Sequence, residues 1–299
     1  MTLPQLLIVE AAAPAADINS ALDPLRALAG LAARHPFLAI GLSEIDDPGI
    51  SALDPTVVAG LLAAEGAGAL VVTADTSRHA PFNLARRLQT LSRLTGGRVG
   101  VRLRATGVDR LTLASGGVSA DYAADPPRAF GEYLEVLARL SRSFPEDALI
   151  GDRDAGILAD PARLAPAQHG GDVYAVAGSL NVPLDPALRA LVILDETDAA
   201  ALGDAFDPAV IDAVVAGDAA GARAAAWLRA VRWDPASVPA VDLATHLGED
   251  DTDGLTLRID APPAAIPDAV AALIAALGAE ETDEAATPLR ARLEKAVAR

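Results

Sequence analysis

The alternation of short apolar runs with longer amphipathic segments constrains this chain more than any other feature of its sequence. Residues 6–11 (LLIVEA), 37–42 (FLAIGL), 69–75 (ALVVTAD) and 98–105 (RVGVRLRA) read as strands, with helix-length stretches between them. Strands that stay apolar on consecutive residues are buried on both faces, as in a parallel sheet covered by helices. The helical stretches carry their own boundaries. Asp23-Pro24 and Asp54-Pro55 each place a capping carboxylate before a proline suited to the first helical position, and Gly96-Gly97 closes the helix that begins near Pro81. On that third helix, Leu84, Leu88 and Leu91 are expected to face the sheet while Arg87 and Arg93 stay in solvent.

The second half keeps the alternation with less regularity. Residues 125–144 form an amphipathic helix with Tyr133, Val136, Leu137 and Leu140 on one face. Residues 145–190, punctuated by Gly and Pro, read as an excursion. Apolar strands resume at 190–195 (ALVILD), 209–217 (AVIDAVVAG) and 254–260 (GLTLRID), with helices expected at 218–231 (DAAGARAAAWLRAV) and 268–277 (DAVAALIAAL). Seven or eight strands with helices between them predict an α/β fold, a TIM-like (β/α)8 barrel, built as one domain over residues 1–299. Only residues 234–254 are left before the last strand, so a truncated seventh βα unit is expected. A homo- or heterodimer would cover the thin side.

Composition narrows the partners. A formal charge of −17 repels a phosphate backbone and an anionic membrane surface, so neither nucleic acid nor membrane is expected. The absence of cysteine removes disulfides and thiolate metal sites and fits a reducing, cytoplasmic setting. No stretch approaches the roughly 20 uninterrupted apolar residues of a transmembrane helix. The first apolar run is broken by Glu10 and has no basic residues before it, so it reads as a strand rather than a signal peptide.

A barrel presents its chemistry at the C-terminal ends of its strands. His79, just past the third strand, is the best placed of the four histidines and is the candidate catalytic residue, with an ordinary capping or surface histidine as the plainer reading. No histidine spacing suits a metal, and none is expected. Residues 249–260 (EDDTDGLTLRID) put acids at calcium-loop offsets, but without flanking helices they read as a solvated turn. Neither a dinucleotide fingerprint nor a Gly-x-Ser-x-Gly elbow is present.

Residues 81–100 (PFNLARRLQTLSRLTGGRVG) resemble the Pro-Tyr-Asn-Leu-Ala-Arg helix and the Gly-Gly-Arg turn of the bacterial luciferase-like flavin monooxygenases, in the branch that includes nitrilotriacetate and dibenzothiophene-sulfone monooxygenases. Residues 146–183, ending in Gly178-Ser179-Leu180-Asn181-Val182-Pro183, are similar to that branch's excursion, which ends Gly-Pro-Leu-Asn-Val-Pro. The resemblance implies a barrel that binds reduced FMN at its C-terminal mouth, receives it from a flavin reductase, and uses O2 to oxygenate a small organic substrate. Carried over by position, Thr106, Arg102 and Thr197 are the expected cofactor-binding residues.

The chain also departs from that branch. Where the branch reads Trp-Asn-Val-Val-Thr-Ser, this chain has Val101, Arg102, Leu103, Arg104, Ala105 and Thr106, and only Thr106 keeps a comparable hydroxyl. The Ala-Asp that ends the branch's second strand is Ile40-Gly41 here, leaving Glu44 as the nearby acid. The small-residue turn Gln-Ala-Gly-x-Ser, which approaches the FMN phosphate, is replaced by Leu194-Asp195-Glu196-Thr197-Asp198. Each carboxylate at about 4 Å from a phosphate opposes it by on the order of 4 kcal/mol at an effective dielectric near 20. Arg102, Arg104 and Arg189 are the cations available to compensate. Two readings follow: an FMN-dependent monooxygenase-like protein, or a non-catalytic homologue that has lost flavin and serves as a partner subunit or binding protein.

Overall fold

The computed structural model describes residues 4–12, 18–43, 53–105, 125–202, 210–217, 226–247, 252–282 and 287–297. Four strands from the first half, β1 (Leu7–Ala12), β2 (Leu38–Ser43), β3 (Ala69–Asp75) and β4 (Val99–Arg104), follow one another around a closed barrel. Four from the second half complete it: β9 (Leu191–Asp195), β10 (Ala213–Ala216), β11 (Ala226–Trp233) and β12 (Gly254–Ile259). All eight pairings are parallel, with β4 joined to β9 and β12 returning to β1.

The two-residue period of each strand sorts its side chains into two layers. Leu7 and Val9 of β1, Leu38 and Ile40 of β2, and Val99, Val101 and Leu103 of β4 point outward into the core shared with the helices. Ile8, Ala39, Val71, Leu191, Ile193 and Leu228 point inward and fill the lower lumen. The helices are α1 (Ile18–Arg34), α2 (Pro55–Ala64), α3 (Pro81–Thr95), α4 (Pro126–Ser141), α5 (Glu196–Leu202), α6 (Ala240–Leu247), α7 (Ile266–Ala276) and α8 (Leu289–Val297). Leu289 and Leu293 of α8 join the inner cluster, and the Leu289 amide donates to the Gly97 carbonyl at 3.1 Å, so α8 closes the N-terminal end of the barrel.

Local chemistry accounts for several boundaries. Asp54 caps α2 by accepting from the Thr56 amide at 2.8 Å, and Asp125 caps α4 by accepting from the Arg128 amide at 3.2 Å. Gly96, at φ 62°, ends α3 in the left-handed conformation that glycine adopts without strain. Leu84, Leu88 and Leu91 are buried on the inner face of α3, whereas Arg87 and Arg93 are over two-fifths exposed and pair with Asp54 and Glu146.

Two helix expectations need correction. Helix α1 begins at Ile18, so Pro24 lies inside it rather than opening it, at the cost of one backbone hydrogen bond. Residues 226–231 are not helical. They belong to β11, whose Ala226 and Leu228 point into the lumen and whose ladders to β10 and β12 close the barrel. Ala, Leu and Arg favour helix intrinsically, but the unpaired edges of two neighbouring strands outweigh that preference. The seventh unit thus has an eight-residue strand and the helix α6, and the short connection falls earlier, with only residues 217–225 between β10 and β11.

Between α4 and β9 the chain leaves the barrel and makes two small hairpins, β5 (Leu149–Asp152) with β6 (Ile157–Ala159), and β7 (His169–Gly170) with β8 (Ala175–Val176). Glu132 of α4 holds the second hairpin. Its carboxylate accepts from the Tyr174 amide at 2.7 Å and the Val173 amide at 3.0 Å, and meets His169 Nε2 at 3.0 Å. The rings of Tyr133 and Tyr174 pack edge to face beside it, with centroids 5.7 Å apart. Among the described residues no helix is long and apolar enough to cross a membrane.

Candidate active site

Towards the C-terminal ends of the strands, the inward positions change from apolar to polar. On β1 the inward residue after Ile8 is Glu10; on β4 those after Gly100 are Arg102 and Arg104; on β9 the one after Ile193 is Asp195. A charge brought into a lumen by strand periodicity needs a partner, because burying it alone is costly. Arg102 supplies one to both acids. Its Nε donates to Asp195 Oδ1 at 2.7 Å on the adjacent strand, and its Nη1 donates to Glu10 on β1, across the lumen. The three side chains are only a fifth to a third exposed. Burial acts to lower the Arg102 pKa, but the charges and hydrogen bonds of Asp195 and Glu10 outweigh it and raise the value, so the guanidinium is firmly charged.

This clasp forms one side of a cavity of about 640 Å³ at the barrel mouth. Ile8, Val71 and Ile193 give it an apolar floor, while Ser43, Thr73 and Thr256 contribute hydroxyls. Gly41 also lines it, and a Cβ there would stand 3.1 Å from Ile8 Cγ2. Arg104 and Arg258 add cations, and Asp260, hydrogen-bonded by Arg232, adds an acid at the β12 rim. Ile259 and Ile266 close the side next to α7 with apolar surface.

Two further acids sit at the same end of the barrel. Asp198 Oδ2 accepts from the Ala105 amide at 3.2 Å, tying the first turn of α5 to the end of β4. Burial pushes the Asp198 carboxyl up, and the Asp195 charge adds to this, against the pull of the Ala105 amide and the nearby Arg104 and Arg102. Asp75 ends β3 and accepts from the Ser77 amide at 2.9 Å and the Ser77 hydroxyl at 2.8 Å; burial pushes its carboxyl up as well.

Of the residues singled out by sequence, Arg102 lines the cavity. Thr197 is exposed in the first turn of α5, and His79 is buried in the turn between β3 and α3; neither lines the cavity. Thr106 and Glu44 lie outside the described residues. Arg189 is remote from the mouth and pairs with Asp212 at 2.7 Å. Asp253 and Asp260, in the stretch with calcium-loop spacing, bond the Trp227 amide and Arg232. Glu10, Thr73, Thr256 and Arg258 were not singled out by sequence; the signal that would have found them is the inward register of the last residues of β1, β3 and β12.

No protein-family model matches the chain. Curated relatives and solved structures do. The dibenzothiophene-sulfone monooxygenase of Rhodococcus erythropolis is 35% identical over 142 residues, which is 46% of this chain and 31% of the relative, so the chain matches about a third of that relative's length. A riboflavin lyase, solved with modified FMN and riboflavin, superposes with a TM-score of 0.72 at 18% identity, covering 96% of this chain and 95% of the lyase. The EDTA monooxygenase of Chelativorans sp. BNC1 superposes with a TM-score of 0.69 at 16% identity, covering 98% of each chain. The chain is thus similar over part of its sequence to a dibenzothiophene-sulfone monooxygenase, and its closed parallel barrel is the fold of the riboflavin lyase and of the EDTA monooxygenase.

Proposed function

We propose that the protein is a reduced-FMN-dependent, monooxygenase-like enzyme that takes a small organic substrate in the cavity at the C-terminal mouth and receives its flavin from a reductase. The cavity itself carries this reading, since its 640 Å³ lies within the range of roughly 300–1,000 Å³ typical of small-molecule sites. The residues present fit an anionic, partly apolar cofactor better than the string Asp195-Glu196-Thr197-Asp198 suggests. Asp195 is paired with Arg102, which it shares with Glu10, Asp198 is turned onto the Ala105 amide, and Glu196 is exposed. Arg104 and Arg258 are the cations that would hold the phosphate, with the hydroxyls of Ser43, Thr73 and Thr256 in the same wall. When bound, FMN supplies the activation of O2 and the oxygen transfer. The protein's share is placement: the apolar floor keeps water off, and the Glu10–Arg102–Asp195 clasp fixes the polar wall opposite it.

Anaerobic titration of the purified chain with reduced FMN, followed by flavin fluorescence, tests this reading. Saturation at or below tens of micromolar, roughly 6 kcal/mol or more of binding, is expected. A flat titration would sink it. One observation favours a second reading, a non-catalytic homologue: Arg102 is already engaged by both Glu10 and Asp195, and the clasp keeps one net negative charge that opposes a phosphate. In that case the parent protein fails to bind, and the combined change Asp195→Ala, Glu196→Gly, Asp198→Ser restores binding if the acids are the cause.

A further inference from the structure

Helix α2 differs from the other helices in what it lacks. Its sequence, PTVVAGLLAA, makes it the one described α-helix with no charged residue, and its only polar side chain, Thr56, is buried. A surface helix ordinarily turns polar residues towards water. Here Val58, Ala59 and Leu62 fill the core face, and the outward stripe at helical spacing is Val57, Gly60, Leu61 and Ala64. Val57 is 66% exposed and Leu61 38%. An ion pair frames the stripe at each end. Arg87 of α3 donates to Asp54 at 3.1 Å beside the N-terminus of α2, and Arg26 of α1 donates to Glu65 at 2.9 Å beside its C-terminus. An apolar strip with a polar rim is the pattern of a protein contact.

The charge on that rim selects the partner. A chain of net charge −17 repels its own copies over most of its surface. Salt screens this repulsion beyond about 8 Å, so the local balance of signs decides where two copies can touch. Around α2 the signs are even: Arg26, Arg86 and Arg87 stand against Asp23, Asp54 and Glu65. The β5–β6 hairpin also exposes aliphatic side chains, Ile150 and Leu158 among them, but Asp147, Asp152, Asp154 and Asp160 outnumber Arg153 and Arg163 around it, so it repels a copy of itself. We infer that the outer face of α2 binds the same face of a second copy, the two helices running antiparallel across a two-fold axis at Gly60. Val57 of each copy then packs over Ala64 of the other, and the Asp54–Arg87 end of one helix meets the Arg26–Glu65 end of the other, which gathers two acids and two arginines at each end of the contact. The helix dipoles are opposed in this arrangement. Gly60 permits a close crossing, since a Cβ there would meet nothing within 4 Å in its own chain. The contact does not depend on what the barrel mouth binds.

Sedimentation equilibrium of the full chain at tens of micromolar tests the inference, and twice the chain mass is the expected result. Val57→Glu buries a charge in the contact and should weaken the dimer about a hundredfold. Leu158→Glu, at a side chain 68% exposed on the β5–β6 hairpin, should leave the dimer intact. The chain has no cysteine, so Gly60→Cys introduces a single thiol next to the two-fold axis, and mild oxidation should yield a covalent dimer, whereas Leu158→Cys should not. A monomeric parent protein, a dimer that survives Val57→Glu, dissociation by Leu158→Glu, or a dimeric Gly60→Cys variant that does not cross-link would each overturn it. Should Val57→Glu fail to fold, the cross-link at Gly60 decides.

Discussion

Arg102 holds one carboxylate on the neighbouring strand and another across the lumen, so its loss leaves two acids facing each other inside the barrel. Breaking a fully buried pair costs about 3–5 kcal/mol; with these side chains a fifth to a third exposed, Arg102→Met should cost about 2 kcal/mol in urea unfolding. A loss under half a kilocalorie would show that solvent already screens the acids. Asp75 behaves in the opposite sense. Burial pushes its carboxyl up, and the Ser77 hydrogen bonds with the charges of Arg78 and Arg104 do not fully offset this. The folded state therefore binds the proton more tightly than the unfolded chain, and stability falls as pH rises through the interval above the ordinary aspartate value of 3.8. Asp75→Asn keeps an acceptor for Ser77, so it should melt higher than the parent at pH 7, with the advantage shrinking towards pH 4. An equal gap at both pH values would refute the linkage. Arg102 was conspicuous in the sequence as a cation in an apolar strand, but its partners were not, because Glu10 and Asp195 stand 92 and 93 residues away and only barrel closure brings them together.

Among elements, the β7–β8 hairpin is tied to α4 most directly through Glu132, with Arg128 paired to Asp172 and Arg139 bonded to the Ala167 carbonyl beside it. Burial tends to raise the Glu132 carboxyl, yet the Tyr174 amide, the His169 ring and the Val173 amide hold it below the usual glutamate value. Its contribution is complete above pH 4.5 and is lost as pH falls through the lower folded value. Glu132→Ala strands two backbone donors and should cost about 3 kcal/mol, with faster proteolysis of residues 169–176. Retention of the parent's cleavage rate would show that the Tyr133–Tyr174 packing suffices. The sequence made the pinned segment visible as an excursion and hid the pin, since Glu132 looks like any acid on a helix. The same limit explains β11. Its alanines and arginines suit a helix, and its strand character comes from the open edges of β10 and β12, which no local window contains. By contrast β1, β2, β3 and β4 were legible because apolar residues on both faces, bounded by capped helices, have few other uses.

On the scale of the whole molecule, β1 to β4 and β9 to β12 are two four-stranded halves that meet along the β1–β12 and β4–β9 ladders, and residues 105–190, which include α4 and the excursion, join them in sequence. The lumen clasp gives those seams a code. Arg102 belongs to the first half and Asp195 to the second, so this pair forms only when the halves close in one register. The chain can accordingly be treated as two complementary parts. Cut in the exposed turn between Arg153 and Asp154, each fragment alone would leave the lumen face and both edges of its sheet uncovered and should aggregate. Co-expressed, the fragments should copurify as a nicked barrel, and Arg102→Met should reduce their recovery, because the charge that braces one folded molecule would also be the key by which its two halves recognise each other.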